Sequence, residues 1–229
     1  MGLSRHRSRD QEIHPSPYTI SRPVNCTIAG NPYRPAMIIY LHGFRSSPQS
    51  FKAQLLEQRM AALGRGAEYL CPQLPVSPKA AMDLALSLTR NLDPAGLTLL
   101  GSSLGGYYAT WLAEHLGCRA VMLNPAMRAF EKLAHYVGPQ TMYHDAASSF
   151  DFKPEYLDEL KQMHVPAITR PERYFLVAAT GDELLDWREM TGNFPGARHK
   201  VIEGSDHGLS DFAGYMDETL AFAGVPVKA

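Results

Sequence analysis

The chain has 229 residues, of which 45% are hydrophobic and 20% are charged, and its 22 Lys and Arg against 23 Asp and Glu give a formal net charge of −1. This composition excludes disorder along most of the chain, and the length is sufficient for one domain with its own hydrophobic core. The balanced charge also lacks the positive excess that concentrates a protein on nucleic acid or anionic lipid, so we expect neither as a partner.

The cysteines and the apolar runs restrict the class of protein further. Cys26, Cys71 and Cys118 are widely spaced and form no C-x-x-C pair, so neither a disulfide framework nor a thiolate zinc site is indicated. No signal-peptide core follows the N-terminal arginines, and no apolar run reaches about 18 residues. We therefore expect a cytoplasmic protein that does not bind a membrane.

The chain divides at about residue 35. Residues 1–35 are rich in Arg, Ser and Pro and lack periodicity, which predicts a partly disordered N-terminal extension. In residues 36–229, short apolar runs alternate with amphipathic stretches, which is typical of parallel strands covered by helices. The predicted strands are Met37–Leu41, Tyr69–Cys71, Leu97–Leu100, Ala120–Leu123, Tyr174–Ala179 and Lys200–Ile202.

Two Ser-Pro pairs predict where the first two helices begin. Ser47-Pro48 and Ser77-Pro78 each place an N-cap hydroxyl before a proline at the first helical position, and apolar residues then recur at helical spacing. Strands that alternate with helices in this way predict an α/β fold with a mostly parallel sheet flanked by helices.

A long segment interrupts the alternation between the fourth and fifth predicted strands. Residues 124–173, called the lid segment below, contain six aromatic residues among many charges. A connection of this length is rarely a bare loop, so we expect two or three short helices over one end of the sheet, where they would form a lid. The alternative is an ordinary crossover helix with surface decoration.

The strongest motif is G-x-S-x-G at Gly101-Ser102-Ser103-Leu104-Gly105, between an apolar strand and a helical pattern. This context predicts a nucleophile elbow, a strained turn that exposes Ser103 at the carboxyl end of its strand. The backbone N–H of Leu104, at the start of the helix, would then face an oxyanion formed on attack. A glycine-rich turn without chemistry is the alternative, because the pattern is short and common.

A serine nucleophile needs a base and a group that orients the base. Asp182 directly follows the strand at Tyr174–Ala179, and His207 follows the last predicted strand. We therefore predict Asp182 as the acid and His207 as the base. Asp186 is an alternative acid that we expect instead to cap a helix or face solvent, and Asp206 is expected to form a turn.

A fourth element follows the first strand. His42-Gly43 begins a loop whose next N–H, that of Phe44, is the expected second oxyanion donor. His42 is expected to hold this loop and not to act as a base. Arg45 would contact an anionic part of the substrate or pair with a nearby carboxylate, and Tyr107, on the helix after the elbow, is a further candidate substrate contact.

The motifs together resemble a known family. The runs YLHGFRSSPQSFKAQ, CPQLPVSPKAA, LLGSSLGGYYATWLAE, LNPAMRAF, ATGDELLDWRE and GSDHGLSDF are similar to the YqiA-type esterases of the α/β-hydrolase superfamily, over about Ala36–Ala223. The resemblance implies a minimal α/β-hydrolase whose triad corresponds to Ser103, Asp182 and His207.

The activity implied by the resemblance is that of a serine esterase. Such an enzyme hydrolyses small-molecule carboxylic esters or acyl thioesters through an acyl-serine intermediate and needs no cofactor or metal. The alternatives are an acyltransferase or peptidase that uses the same triad, and a non-catalytic binding module with a hydrolase fold.

Overall fold

The computed structural model describes residues 36–145 and 147–227, so the predicted extension over residues 1–35 lies outside the described residues. A six-stranded, all-parallel sheet with strand order β2-β1-β3-β4-β7-β8 forms the centre of the fold. A separate antiparallel pair is formed by β5 and β6. The strands are β1 (Met37–Leu41), β2 (Tyr69–Leu70), β3 (Leu97–Ser102), β4 (Arg119–Leu123), β5 (Gly138–Thr141), β6 (Ser149–Phe152), β7 (Tyr174–Ala179) and β8 (Arg198–Ile202).

Helices cover both faces of the large sheet. None of the helices in the described ranges has the length and hydrophobicity that a bilayer crossing requires. The α-helices are α1 (Phe51–Ala62), α2 (Pro78–Thr89), α3 (Leu104–Leu116), α4 (Ala129–Lys132), α5 (Glu155–Gln162), α6 (Trp187–Asn193) and α7 (Met216–Phe222). Single 3-10 turns occur at Gly66–Glu68, Pro94–Gly96, Ala134–Tyr136, Pro171–Arg173 and Phe212–Gly214.

The central strands β3 and β7 are buried at every residue, which explains their continuous apolar sequences. Successive side chains of a strand point to opposite faces, so each strand contributes to two cores. Leu99 packs with residues of α2 and α3, whereas its neighbour Leu100 packs with residues of α1 and α7. The sheet is therefore enclosed by helices on both sides, and its functional groups lie at the strand ends.

The predicted α/β class and the mostly parallel sheet are confirmed, and all six predicted strands overlap observed ones. The N-cap at Ser77 is also present, since its Oγ accepts a hydrogen bond from the N–H of Ala80 at 3.1 Å. The predicted start at Ser47-Pro48 is wrong, because α1 begins at Phe51. The backbone of Ser47 closes a turn by accepting from the N–H of Ser50 at 3.0 Å, so the helix starts one turn later.

The lid segment contains short helices, as expected, and also the β5–β6 hairpin, which the sequence analysis did not predict. Its strands are four residues long and carry no apolar alternation along β5, so local pattern gives little signal. The hairpin instead packs through Phe150 and Phe152 against Phe44, with ring centroids 5.8 and 5.0 Å apart. Tertiary contact with the loop after β1 thus stabilises a hairpin that its own sequence does not specify.

Candidate active site

The predicted functional residues follow four different strands at one edge of the sheet. His42 follows β1, Ser103 follows β3, Asp182 follows β7 and His207 follows β8. All these strands are parallel, so their carboxyl ends lie on the same side. Open α/β sheets bind ligands at this edge, and the topology brings the four residues to it.

Ser103 lies in a strained turn between β3 and α3, with φ of 56° and ψ of −119°. Its N–H donates to the carbonyl of Leu123 at 3.0 Å, which ties the turn to β4. The turn requires glycine nearby: a Cβ on Gly105 would collide with the carbonyl oxygen of Leu41, and one on Gly101 with that of Gly105. The backbone is therefore fixed in a conformation that exposes the serine side chain.

The carboxylate of Asp182 orients His207. Its side chain is fully buried, and Oδ2 accepts a hydrogen bond of 2.8 Å from Nδ1 of His207. Oδ1 accepts from the N–H groups of Leu184 and Leu185 at 2.9 and 2.8 Å, which holds the carboxylate in place. With Nδ1–H committed to Asp182, Nε2 of the neutral imidazole is left as a proton acceptor.

Ser103 and His207 line one cavity. No hydrogen bond joins the Ser103 hydroxyl to His207 among the described residues. The structure thus brings the Ser103 hydroxyl and the His207 imidazole to the same space.

The alternative acids have other roles. Asp186 is the N-cap of α6, where its Oδ1 accepts from the N–H of Arg188 at 2.9 Å. Asp206 closes the turn after β8 by accepting from the N–H of Ser210 at 2.9 Å, a hydrogen bond that lowers the pKa of this carboxyl. Neither carboxylate bonds to the imidazole of His207, whereas Asp182 does.

Two backbone N–H groups are available as oxyanion donors. The N–H of Leu104 is in the first turn of α3, where no helical carbonyl can accept it. The N–H of Phe44 makes no hydrogen bond to another described residue, and Phe44 lines the same cavity as Ser103. A Cβ added to Gly43 would lie 3.3 Å from Cβ of Ser103, so the loop after β1 closely approaches this serine.

His42 holds this loop. Its Nε2 accepts from the N–H of Leu74 at 3.0 Å, so the proton is on Nδ1, which donates to the carbonyl of Gly43 at 3.1 Å. Burial lowers the pKa of the imidazole, which keeps the ring neutral. His42 is thus bonded on both nitrogens to backbone groups and is not available as a base.

The two candidate substrate contacts, Tyr107 and Arg45, lie in different surroundings. Tyr107 is buried in α3, does not line the cavity and donates to the carbonyl of Leu160 at 2.7 Å, so the predicted contact is wrong for this side chain. Arg45 pairs with no carboxylate among the described residues. Its Nε donates to the carbonyl of Thr141 at 2.6 Å and its guanidinium lies 4.4 Å above the ring of Tyr143. Arg45 thus joins the loop after β1 to the hairpin.

The cavity above Ser103 has a volume of about 740 Å³ and mostly apolar walls. The lid segment contributes Leu133 and Tyr136, and Leu185 contributes from the loop after β7. Its rim includes the exposed side chains of Phe51 and Leu184. A pocket of this size and polarity suits a small apolar group beside the nucleophile.

Three residues of the site were not singled out from the sequence. Asn124, directly after β4, donates through Nδ2 to the carbonyls of Asp206 and His207 at 3.0 and 3.2 Å. Glu183 accepts a hydrogen bond of 2.9 Å from the N–H of His207. Lys52, on α1, lines the cavity and bonds to Gly208. Asn124 and Glu183 follow predicted strands, and Lys52 lies in one of the runs that resemble the family. No other feature of the sequence indicates these three residues.

Within the described ranges, no group of three or more His, Cys, Asp or Glu side chains is arranged to hold a metal ion. The site groups a serine, an imidazole bonded to a carboxylate, and free backbone N–H groups.

Solved structures with the same fold include several enzymes. The chain is similar to a putative hydrolase from Agrobacterium vitis (TM-score 0.66, 17% identity, 83% of this chain and 91% of that chain). It is similar to Est1E from Butyrivibrio proteoclasticus with ferulic acid bound (0.59, 13%, 82% and 86%). It is also similar to the metagenome-derived lipolytic enzymes LipS and LipT (0.58, 16%, 82% and 94%). These likenesses show that the fold is that of the α/β-hydrolases.

A family model matches residues 37–224, which is most of the chain and includes every residue of the site. This match confirms the prediction of a YqiA-like family that was based on the sequence motifs. The chain belongs to the uncharacterised protein family UPF0227.

Proposed function

We propose that the protein is a serine hydrolase that cleaves a small carboxylic ester or acyl thioester through an acyl-serine intermediate. The observation that carries the proposal is the hydrogen bond from His207 Nδ1 to the buried Asp182, in a cavity that also contains Ser103 on its elbow. Est1E and the lipolytic relatives share the fold, which is consistent with ester chemistry at this edge of the sheet.

The proposed reaction has two halves. His207 Nε2 takes the proton of Ser103 as its Oγ attacks the acyl carbon, and the N–H groups of Phe44 and Leu104 stabilise the oxyanion. The imidazolium then gives its proton to the departing alcohol or thiol, which leaves an acyl-serine. His207 then deprotonates a water molecule as its oxygen attacks the acyl carbon, and gives this proton to Oγ of Ser103 as the bond between Oγ and the acyl carbon breaks, which releases the acid. Asp182 stabilises the imidazolium in both halves, and no cofactor takes part.

Substitution of the nucleophile tests this mechanism. Ser103→Ala is expected to lower kcat for p-nitrophenyl butyrate by at least about a thousandfold, because the acyl-enzyme cannot form. Ser87→Ala is the matched control: Ser87 is exposed on α2, where its hydroxyl donates to the carbonyl of Leu84 and to no other described residue. If Ser103→Ala retained the turnover of Ser87→Ala, the assignment of the nucleophile would be wrong.

Active-site labelling gives a second readout that does not depend on the choice of substrate. A fluorophosphonate is expected to modify Ser103 in the folded protein, with the site of modification located by mass spectrometry. A parallel series of p-nitrophenyl esters and acyl-CoA thioesters of increasing chain length would separate an esterase from a thioesterase. Product analysis with added alcohols or amines would reveal acyl transfer in place of hydrolysis.

A further inference from the structure

One corner of the cavity is polar and has no part in the proposed triad chemistry. Its lining residues are Tyr40 on β1, Ser50 and Lys52 at the start of α1, and Ser102, which precedes the nucleophile. We call these four residues the polar corner. They share one cavity with Ser103, so a group bound in the corner would belong to a molecule positioned at the nucleophile.

Lys52 is a buried cation with few partners. It is only 9% exposed, and its Nζ donates one hydrogen bond, to the carbonyl of Gly208. Among the described residues no carboxylate forms an ion pair with it, so two of its three ammonium protons have no protein acceptor there. Asp182 and Asp206 attract the ammonium electrostatically, but burial outweighs them and lowers the pKa of Lys52 to about 8. A buried ammonium in this state would gain from an added anion.

Ser50 provides a second unsatisfied group. It is the N-cap residue of α1, yet its side chain does not cap the helix. Its Oγ is buried without a hydrogen bond of normal geometry, although the hydroxyl of Tyr40 adjoins it. α1 has 12 residues, and the free N–H groups of its first turn add the positive end of the helix dipole at the same place. The Ser50 hydroxyl, the Lys52 ammonium and Tyr40 therefore line the same cavity, next to the first turn of α1.

We propose that the polar corner is an anion subsite, in which Lys52 and Ser50 bind a carboxylate or phosphate group carried by the ligand. This inference deepens the proposed function, on which it rests for the ester chemistry: the preferred substrate is an ester or thioester with a negatively charged group in its acyl or alcohol part. The carboxylates of Asp182, Glu131 and Glu183 in or beside the cavity do not favour such a charge, so Lys52 is the group that would supply the selectivity.

Binding of uncleavable analogues tests the subsite without relying on catalysis. The probes are 4-acetamidobenzoate, 4-acetamidophenyl phosphate and the neutral 4-acetamidobenzamide, measured by calorimetry with the whole protein at pH 7. We expect at least one of the two anions to bind about tenfold or more tightly than the neutral amide. Comparison of the two anions then shows whether the subsite prefers a carboxylate or a phosphate. Equal affinity for all three probes would overturn the proposal.

Variants assign the preference to Lys52. Lys52→Met keeps the length of the side chain and removes the charge, and is expected to abolish the preference. Lys79→Met makes the same chemical change at an exposed position on α2 and is expected to preserve it. If Lys52→Met kept the preference for the anion, a subsite centred on this ammonium would be contradicted. Loss of the preference in both variants would indicate a general effect of charge and would also contradict the proposal.

The hydrolytic counterpart separates the subsite from the triad. The ratio of kcat/KM for 4-acetoxybenzoate to that for methyl 4-acetoxybenzoate cancels any general effect of Lys52 on the loop that carries His207. The same ratio for monomethyl adipate and dimethyl adipate tests a charge in the acyl part of the substrate. We expect one of these ratios to fall about tenfold or more in Lys52→Met. If the protein bound the anionic probes selectively but hydrolysed no ester, the esterase proposal would be refuted and the subsite supported. If it hydrolysed esters but preferred the charged compound neither in the two ester pairs nor among the binding probes, the subsite alone would be refuted.

Discussion

The side-chain amide of Asn124 donates a hydrogen bond of 3.2 Å to the carbonyl oxygen of His207. The same amide nitrogen donates to the carbonyl of Asp206, and Oδ1 accepts from the N–H of Ala179 at 2.8 Å. Asn124 is fully buried and has a positive φ of 43°, a conformation that asparagine tolerates better than most residues. One side chain thus fixes the histidine loop against the end of β7, from which Asp182 follows.

We therefore predict that Asn124→Ala lowers kcat for p-nitrophenyl butyrate by about 10- to 100-fold with little change in KM, because the imidazole loses its fixed position. The free energy of unfolding should fall by about 2–3 kcal/mol, since a buried N–H loses its acceptor. Steady-state kinetics and urea unfolding measure the two effects.

Asn193→Ala is the matched control. The Asn193 amide also donates to a backbone carbonyl, that of Glu189, but within α6 and away from the cavity lining. Its kcat should match that of the wild type. A purely structural role for Asn124 would leave kcat per folded molecule unchanged and would contradict the prediction.

The hydrogen bond between Asp182 and His207 predicts a large effect of Asp182→Asn. An amide at this position cannot stabilise the imidazolium and disturbs the tautomer, so kcat should fall by about a thousandfold or more. Asp186→Asn makes the same change four residues later, at a helix N-cap, where Asn caps about as well as Asp, so stability should change little and kcat should be unchanged. The reverse ranking of the two variants would show that Asp186 is the acid.

The close approach at Gly105 predicts a folding defect. A methyl group there would overlap the carbonyl oxygen of Leu41, and backbone atoms cannot move aside cheaply. Gly105→Ala should therefore lower the free energy of unfolding by about 3 kcal/mol or more, or prevent accumulation of soluble protein. Gly192→Ala, in α6, meets no atom within 4 Å and should be neutral or slightly stabilising. Thermal unfolding of both variants measures the contrast.

Much of the fold was predictable because buried parallel strands are continuous apolar runs. β1 and β7 have the predicted bounds. Parallel strands end at one edge of the sheet, and this brings together three residues that follow strands: Ser103, Asp182 and His207. The sequence reports which residues follow a strand, and the topology then determines that they are neighbours.

The features that were missed depend on contacts between distant parts of the chain. The β5–β6 hairpin has little pattern of its own and packs on Phe44, which is about 100 residues earlier in the sequence. Asn124 and Lys52 are ordinary polar residues by type, and only the fold brings them to the loop after β8. Helical periodicity near the elbow predicts the helix that carries Tyr107, but it does not indicate which side of the helix faces the cavity.

Burial of Lys52 predicts an unusual dependence of stability on pH. Burial lowers the pKa of its ammonium from 10.5 to about 8, despite the opposing attraction of Asp206 and Asp182. Between these two pH values the unfolded chain binds the proton and the folded protein does not, so the stability of the wild type rises with pH in this window. Relative to Lys52→Met, which has no such proton, the gain should be about 3 kcal/mol by pH 10.5.

At pH 7, where Lys52 is charged and buried, Lys52→Met should be at least as stable as the wild type, because the cost of burying the charge offsets the lost bond to Gly208. Urea unfolding of both proteins at pH 7 and pH 10 tests this, with Lys79→Met as the control for an exposed lysine. For that control the difference from the wild type should stay constant across the window. A difference between Lys52→Met and the wild type that did not change with pH would show that the ammonium is well solvated and contradict its burial.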